Sequence, residues 1–231
     1  MVNKEMSDKV KNQIEETKER VARLHAELPK WELVVWTAGN VSERVLGTDY
    51  FVIKPSGVRY EELSPDNMIV CDLNGEKIEG EEKNDLKPSS DTAAHAYVYR
   101  HMSEVGGVVH THSTFATAFA AARKPIPCML TMTGDEFGGE IPIGPLAIIG
   151  DDSIGEGIVS TLNSSRSPAV LMANHGPFTI GKNAEAAVKA AVMVEEVART
   201  TFNALQLGAT ESLDPAMVDK LWERYQNVYG Q

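Results

Sequence analysis

Residues 106–113, Gly-Gly-Val-Val-His-Thr-His-Ser, constrain this chain more tightly than any other stretch. A glycine pair followed by two β-branched valines reads as a buried strand, and Ser113 opens an Ala-rich helical run. Side chains alternate along a strand, so His110 and His112 project from one face, about 7 Å apart along the backbone. Two neutral imidazoles on one rigid edge can hold one divalent metal. They sit at a strand's C-terminal end, where α/β sheets commonly carry their ligands. Taken alone, a His-x-His reads equally well as a satisfied polar pair at a strand end. The rest of the chain has to decide.

The background is that of an ordinary globular protein. Its 231 residues suffice for a sizeable core, with 42% hydrophobic and 24% charged residues. The net charge of -11 argues against nucleic acid and anionic membrane surfaces as partners. An anionic substrate would need positive potential gathered locally. Cys71 and Cys128 are far apart and in no metal or redox spacing, and no apolar signal core or membrane-length run is present. The expectation is a cytoplasmic protein.

Val10, Ile14, Thr17, Val21, Leu24 and Leu28 mark an amphipathic helix that Pro29 should stop. Strands are expected at 33–36, 51–53, 68–71, near 128–130, at 146–150 and at 169–173, with an Asn74-Gly75 hairpin into Lys77-Ile78. Helices are expected at 92–104, 113–123, 152–162, from 183 to about 207, and from Asp214-Pro215 onward. Residues 131–140 read as a Gly-rich loop and 81–87 as a polar loop. His25 and His101 read as surface helix residues. No repeat, low-complexity tract or linker divides the chain. We read residues 1–231 as one α/β domain, a mixed sheet with helices on both faces.

Two constellations carry chemistry. His175 ends another apolar strand and is followed by Gly176-Pro177, and Asp91 stands at a helix start. With His110 and His112 they make three imidazoles and one carboxylate, a donor set suited to zinc or another borderline divalent metal. Asp91 reads equally well as a helix cap, and His95, one turn later, as a packing residue or a partner of a ligand. The second constellation is Gly39-Asn40, Lys54 with Ser56-Gly57, and Ser89-Ser90. Small residues, hydroxyls and a helix start can cradle an anion, although Pro-Ser-Gly is also ordinary turn chemistry.

Five segments resemble a known family in order and spacing: Gly39-Asn40-Val41-Ser42, Ile53-Lys54-Pro55-Ser56-Gly57-Val58, Pro88-Ser89-Ser90-Asp91-Thr92, Val109-His110-Thr111-His112-Ser113 and Asn174-His175-Gly176-Pro177-Phe178. The family is that of the class II sugar-phosphate aldolases and epimerases, and within it the chain is most similar to the L-ribulose-5-phosphate 4-epimerases. The resemblance runs from about residue 30 to the end. It implies a three-layer α/β/α fold around a mixed, largely antiparallel sheet. It also implies Asp91, His110, His112 and His175 as ligands of Zn2+, with Mn2+ or another divalent metal as alternatives. Gly39, Asn40, Lys54, Ser56, Gly57, Ser89 and Ser90 would hold a sugar phosphate, and Asp135 and Tyr229 would transfer protons. The family assembles as a homotetramer with sites between subunits.

Two departures stand out. The chain reads Met132-Thr133-Gly134-Asp135-Glu136 where these epimerases carry Thr-His-Ala-Asp-Tyr. Near the C-terminus, Lys220 and Arg224 flank Leu221 where the family has a histidine. The implied activity is carbon-4 epimerisation of L-ribulose 5-phosphate to D-xylulose 5-phosphate, a step of arabinose catabolism. The alternatives are an aldolase such as one acting on L-fuculose 1-phosphate, or a non-catalytic scaffold like the adducin head. The aldolases typically carry glutamate where this chain has Asp91, which favours the epimerase.

Overall fold

Val108 and Val109 turn to opposite faces of one sheet, and the same alternation repeats in its neighbours. The computed structural model describes residues 6–78 and 85–228. Among these, seven strands pair: β1 (Asn40–Arg44), β2 (Tyr50–Ile53), β3 (Ile69–Asp72), β4 (Gly107–His110), β5 (Ile143–Gly144), β6 (Ala169–Met172) and β7 (Gly176–Gly181). Their order is β3-β2-β1-β4-β7-β6-β5, and only β5 and β6 run parallel. Phe51, Ile53, Ile69, Cys71, Val108, Val170 and Phe178 pack on one side, against α3 (Thr92–His101) and α6 (Ser153–Leu162). Val41, Val52, Val70, Val109, Ala169 and Leu171 pack on the other, where α1 (Asp8–His25), α4 (Thr114–Ala121) and α7 (Ala184–Gln206) lie. Strands buried on both faces need apolar residues at successive positions, as in β2, β3 and β6, whereas β1 buries the polar Asn40, Ser42 and Glu43. The expected mixed, mostly antiparallel sheet between helical layers is what forms.

Several local expectations fail for identifiable reasons. Pro29 does not stop the first helix. That helix breaks at Ala26, and Pro29 lies inside the short α2 (Glu27–Lys30), whose first-turn N–H groups need no intrahelical partner. Residues 33–36 form no strand: Leu33 and Val34 are buried, but Val35 and Trp36 face solvent and Trp36 has φ 62°. Nor do 146–150, where Leu146 and Ile148 are exposed, or 128–130, next to an isolated Ile126–Ile141 bridge. The Gly-rich loop at 131–140 is largely a helix, α5 (Thr131–Phe137). Gly138, at φ 64°, closes that helix, and Gly134 is small because a Cβ there would lie 2.8 Å from Leu221 Cδ1. Strands β1, β5 and β7 lie outside the expected set, and β1 and β7 begin at Asn40 and Gly176-Pro177, which read as turns. The Asn74-Gly75 turn forms, with Ile78 N–H donating to Val70 O at 2.9 Å, while residues 79–84 lie outside the described residues. The C-terminal helix α8 (Pro215–Asn227) is capped as expected by Asp214, which accepts from Ala216 and Met217 N–H. Among the described residues, no helix is long and apolar enough to cross a membrane.

The glycine pair before the histidine strand is explained by what crosses it. A Cβ on Gly107 would lie 2.4 Å from Ala184 N, and one on Gly106 would lie 2.2 Å from Lys182 O. The start of α7 therefore rests directly on the backbone of β4. Buried Glu43 completes this junction, accepting from Ala184 N–H at 3.3 Å and from Arg20 Nε at 2.9 Å. Gly107→Ala should push α7 off the sheet and cost about 1–3 kcal/mol of stability, as overpacking generally does. The urea midpoint of the purified variant measures this, and an unchanged midpoint would refute the backbone contact.

Candidate active site and metal centre

His110 is the last residue of β4, His112 lies two residues beyond it, and His175 sits in the turn between β6 and β7. Antiparallel pairing of β4 with β7 brings the three together, and their ring nitrogens lie within 4.8 Å of one another. The Nε2 atoms of His110 and His112 are 2.8 Å apart. Three further contacts set the rings. His110 Nδ1 lies 3.0 Å from Pro177 O, its ring stacks on Phe178 at 4.1 Å, and His112 N–H donates to Leu33 O at 3.2 Å. A carbonyl partner requires the proton on Nδ1, which leaves the Nε2 lone pair of His110 facing the other two rings.

Burial lowers the pKa of all three histidines. For His110 it is the main cause of a value well below the ordinary range, reinforced by His175 and His112. For His112 and His175 burial again dominates, opposed by the negative charge of Asp91. Neutral, convergent imidazoles are the state a divalent metal binds, so the donor set fits such an ion.

Asp91 occupies the N-cap position of α3, yet its side chain caps nothing. Its Oδ2 instead accepts from Asn40 Nδ2 at 2.7 Å, and its Oδ1 is buried without a partner. That same Asn40 nitrogen donates to Ser89 Oγ at 3.0 Å. Residues 54–57 and 87–91 are laced together by Ser56 N–H to Lys87 O (2.8 Å) and Ser89 N–H to Lys54 O (3.0 Å). The Lys54 side chain is buried and donates to Thr37 O and Pro55 O at 3.1 and 3.2 Å. Burial pulls its pKa down to about 8, with Asp91 opposing, so it remains mainly cationic near neutrality.

These segments meet at one cavity of about 250 Å³. Gly39, Asn40, Lys54, Ser56, Gly57, Ser89, Ser90, Asp91, His110, His112 and His175 line it, together with Thr37, Ala38 and Ile149. The last three were missed from sequence. Ile149 belongs to an apolar run that reads as a strand, and Thr37 and Ala38 carry no pattern that marks them, although their carbonyls accept from Lys54 Nζ and Tyr60 Oη. Asp91 lines the cavity but lies outside the group of three histidines whose ligand atoms converge. Asp135 lies on α5 and is not part of this lining. Tyr229 lies outside the described residues.

The two sequence departures meet one another. Gly134 packs against Leu221, and Glu136 accepts from Tyr225 Oη on α8, with Lys189 Nζ 3.1 Å from Glu136 and 2.5 Å from Tyr225. They form one α5–α8 junction. A further surprise is His25, which is fully buried rather than on the surface. Its Nδ1 lies 2.8 Å from Val21 O and its Nε2 accepts from Val41 N–H at 2.9 Å, tying α1 to the strand that carries Asn40. Past His112, the first amides of α4 are taken by a distant residue: Glu195 accepts from Phe115 and Ala116 N–H at 2.9 and 3.0 Å.

Comparison with known proteins agrees with this geometry. A family model described as Class II Aldolase and Adducin N-terminal domain matches residues 19–202. Among solved structures, the chain is similar to an L-fuculose 1-phosphate aldolase at 25% identity and a TM-score of 0.84, covering 91% of this chain and 96% of that one. It is also similar to YgbL of Klebsiella pneumoniae, a putative aldolase/epimerase/decarboxylase, at 27% identity and a TM-score of 0.76, covering 90% and 98%. An L-fuculose 1-phosphate aldolase from Glaciozyma antarctica PI12 shares the fold at 20% identity and a TM-score of 0.78, covering 95% and 85%.

Two outcomes are expected. Protein purified without chelator should carry about one divalent ion per chain, as one such site binds. His112→Asn should remove most of it by elemental analysis, and normal metal content in that variant would exclude the histidine site. The second concerns pH. Burial depresses His25 and His95 to about 3. Below about pH 6.5 the unfolded chain then binds protons that the folded chain refuses. Stability contributed by these groups is complete above that pH and is lost as pH falls toward 3, by about 1.4 kcal/mol per unit for each ring. Urea midpoints from pH 7 to 4 should show the decline, and His25→Gln should make it shallower.

Proposed function

The chain belongs to the class II aldolase and adducin N-terminal domain family, and from that membership we propose that it epimerises L-ribulose 5-phosphate to D-xylulose 5-phosphate at carbon 4. What carries this reading is a single juxtaposition: the histidine triad, the Asn40-held Asp91 and the buried cation of Lys54 share one small cavity. A phosphate is the natural occupant of the Lys54 side. Two of its three ammonium protons go to carbonyls, which leaves one for a ligand. The Ser56 N–H is committed to Lys87 O, so Ser56 offers its hydroxyl, alongside the hydroxyls of Ser89 and Ser90. In a protein of net charge -11, this local positive site is what an anionic sugar requires.

Carbon 4 of a 2-ketose is β to the carbonyl, so its hydrogen is not acidic enough to be removed and replaced. Cleavage between carbons 3 and 4 avoids this, leaving a three-carbon enediolate and glycolaldehyde phosphate. The aldehyde turns over and recondenses on its other face. A divalent metal held by His110, His112 and His175, with Asp91 beside it, would supply Lewis-acid stabilisation of charge on the sugar oxygens. The phosphate contacts keep the aldehyde fragment from leaving. Turning over requires a proton-transfer group on each side of the aldehyde plane, the roles we assign to Asp135 and Tyr229. Asp135 does not line the cavity of its own chain. In a homotetramer with sites between subunits, Tyr229 would come from a neighbouring subunit. Supporting an assembly, Val35, Trp36 and Ile148 are exposed apolar residues adjacent in sequence to the lining residues Thr37 and Ile149.

The aldolase reading is supported by the 0.84 TM-score to an L-fuculose 1-phosphate aldolase. One experiment separates the two. The metal-loaded protein, incubated with L-ribulose 5-phosphate in deuterated water, should give D-xylulose 5-phosphate by NMR, with no deuterium at carbon 4. Dihydroxyacetone phosphate from L-fuculose 1-phosphate, with no pentulose conversion, would replace the epimerase with the aldolase. Tyr229→Phe should fold, keep its metal and lose on the order of 10²–10⁴-fold in turnover. Full activity in that variant would remove the tyrosine from the mechanism.

A further inference from the structure

His95 is a fully buried side chain in which one nitrogen is spoken for and the other is not. Its Nδ1 lies 2.7 Å from Ser42 Oγ, and Ser42 Oγ lies 2.8 Å from Tyr99 Oη, all three groups buried. Its Nε2 has no partner. One turn earlier on the same helix face, the Asp91 Oδ1 is also buried without a partner. The two residues are already joined through the backbone, His95 N–H donating to Asp91 O at 3.1 Å.

The direction of the chain follows from the hydroxyls. A neutral imidazole has one N–H and one lone pair. If Nδ1 carried the proton, Ser42 would accept it and pass its own proton to Tyr99, leaving the buried phenol proton without an acceptor from Ser42. The bare Nε2 and the Asp91 Oδ1 would then be two buried acceptors with no donor for either. The opposite direction satisfies the Tyr99 and Ser42 hydroxyls and leaves the imidazole proton on Nε2. Tyr99 donates to Ser42, Ser42 donates to Nδ1, and Nε2 keeps the proton. Among the charges acting on the His95 ring, Asp91 has the largest effect.

We propose that His95 is a positioning residue whose Nε2–H holds the Asp91 carboxylate, directly or through one water, with Asn40 on its other oxygen. The inference rests on Asp91 belonging to the metal and sugar site. Held from both sides, the carboxylate keeps one orientation toward the histidines. The Tyr99–Ser42 chain fixes the tautomer that makes this work, so the aim of Asp91 is set two side chains deep in the core.

Amide variants separate this role from simple packing. The glutamine amide can take the place of Nε2–H, whereas the asparagine amide takes the place of Nδ1. Zn2+ affinity of the metal-free protein, measured by competition with a chromophoric chelator, should fall about tenfold or more in His95→Asn and His95→Leu. It should stay near wild type in His95→Gln. In the Asp91→Ala background, His95→Leu should change it no further. The urea midpoints of the same metal-free variants should be non-additive for His95→Leu with Asp91→Ala. That readout stands even where a variant binds no zinc. Rescue by asparagine and not by glutamine would place the role in the Ser42 contact and overturn the proposal, as would additive effects in both measurements. None of these readouts uses a sugar phosphate. Failure to epimerise would therefore sink the functional reading without touching this pair.

Discussion

Strand register is the constraint on which the rest of the site depends. Asn40 pairs with His110 across β1 and β4, and His110 pairs with Phe178 across β4 and β7. One row across three central strands thus places the residue that grips Asp91, a histidine of the convergent triad and the ring that supports it. A slip of one residue in any of these strands would turn its side chain to the opposite face. The apolar residues on both faces prevent that slip, because Val108 and Val109 each have a separate core to fill.

Around that row, the loops are held by groups that would be costly if left unmet. Asn40 spans Ser89 and Asp91 with one nitrogen, Lys54 closes on the carbonyl of Thr37, and Tyr60 Oη donates to Ala38 O at 2.8 Å. Gly39, at φ 79°, passes so close to His110 O that a Cβ would lie 2.8 Å from it. The cradle is therefore preorganised by hydrogen bonds between chain segments distant in sequence. The negative charge of Asp91 partly offsets the cost of burying the Lys54 ammonium, which helps keep that cation in place.

Much of this was legible in the sequence. The two-sided burial of residues 107–110 and 169–172 follows from their unbroken apolar runs, and the residues that line the cavity were marked by short glycine, serine and histidine patterns. The failures share one cause. Apolar residues at 35–36 and 146–149 look like core residues until their exposure is seen, because composition does not distinguish a core from an uncovered surface. Gly134 and Gly138 look like loop glycines, but they are small for contact with α8 and for closing α5. His25 looked like a surface residue because its partner, the Val41 amide, is brought to it only by tertiary folding. The reach of Asp91 to Asn40 rather than to its own helix was likewise invisible, since both uses need the same carboxylate.

The distant carboxylate on the first amides of α4 has an electrostatic consequence. A helix beginning two residues after His112 carries a fractional positive charge at that end, from aligned peptide dipoles and unpaired amides. Such a charge next to a cluster of imidazoles would oppose any cation placed among them. Glu195 covers two of those amides with a formal negative charge. The macrodipole of α4 is thus neutralised from behind, by a residue on α7 that takes no part in the cavity. The fold can then start a helix at the edge of the histidine cluster without setting a positive field against a cation that the cluster could hold.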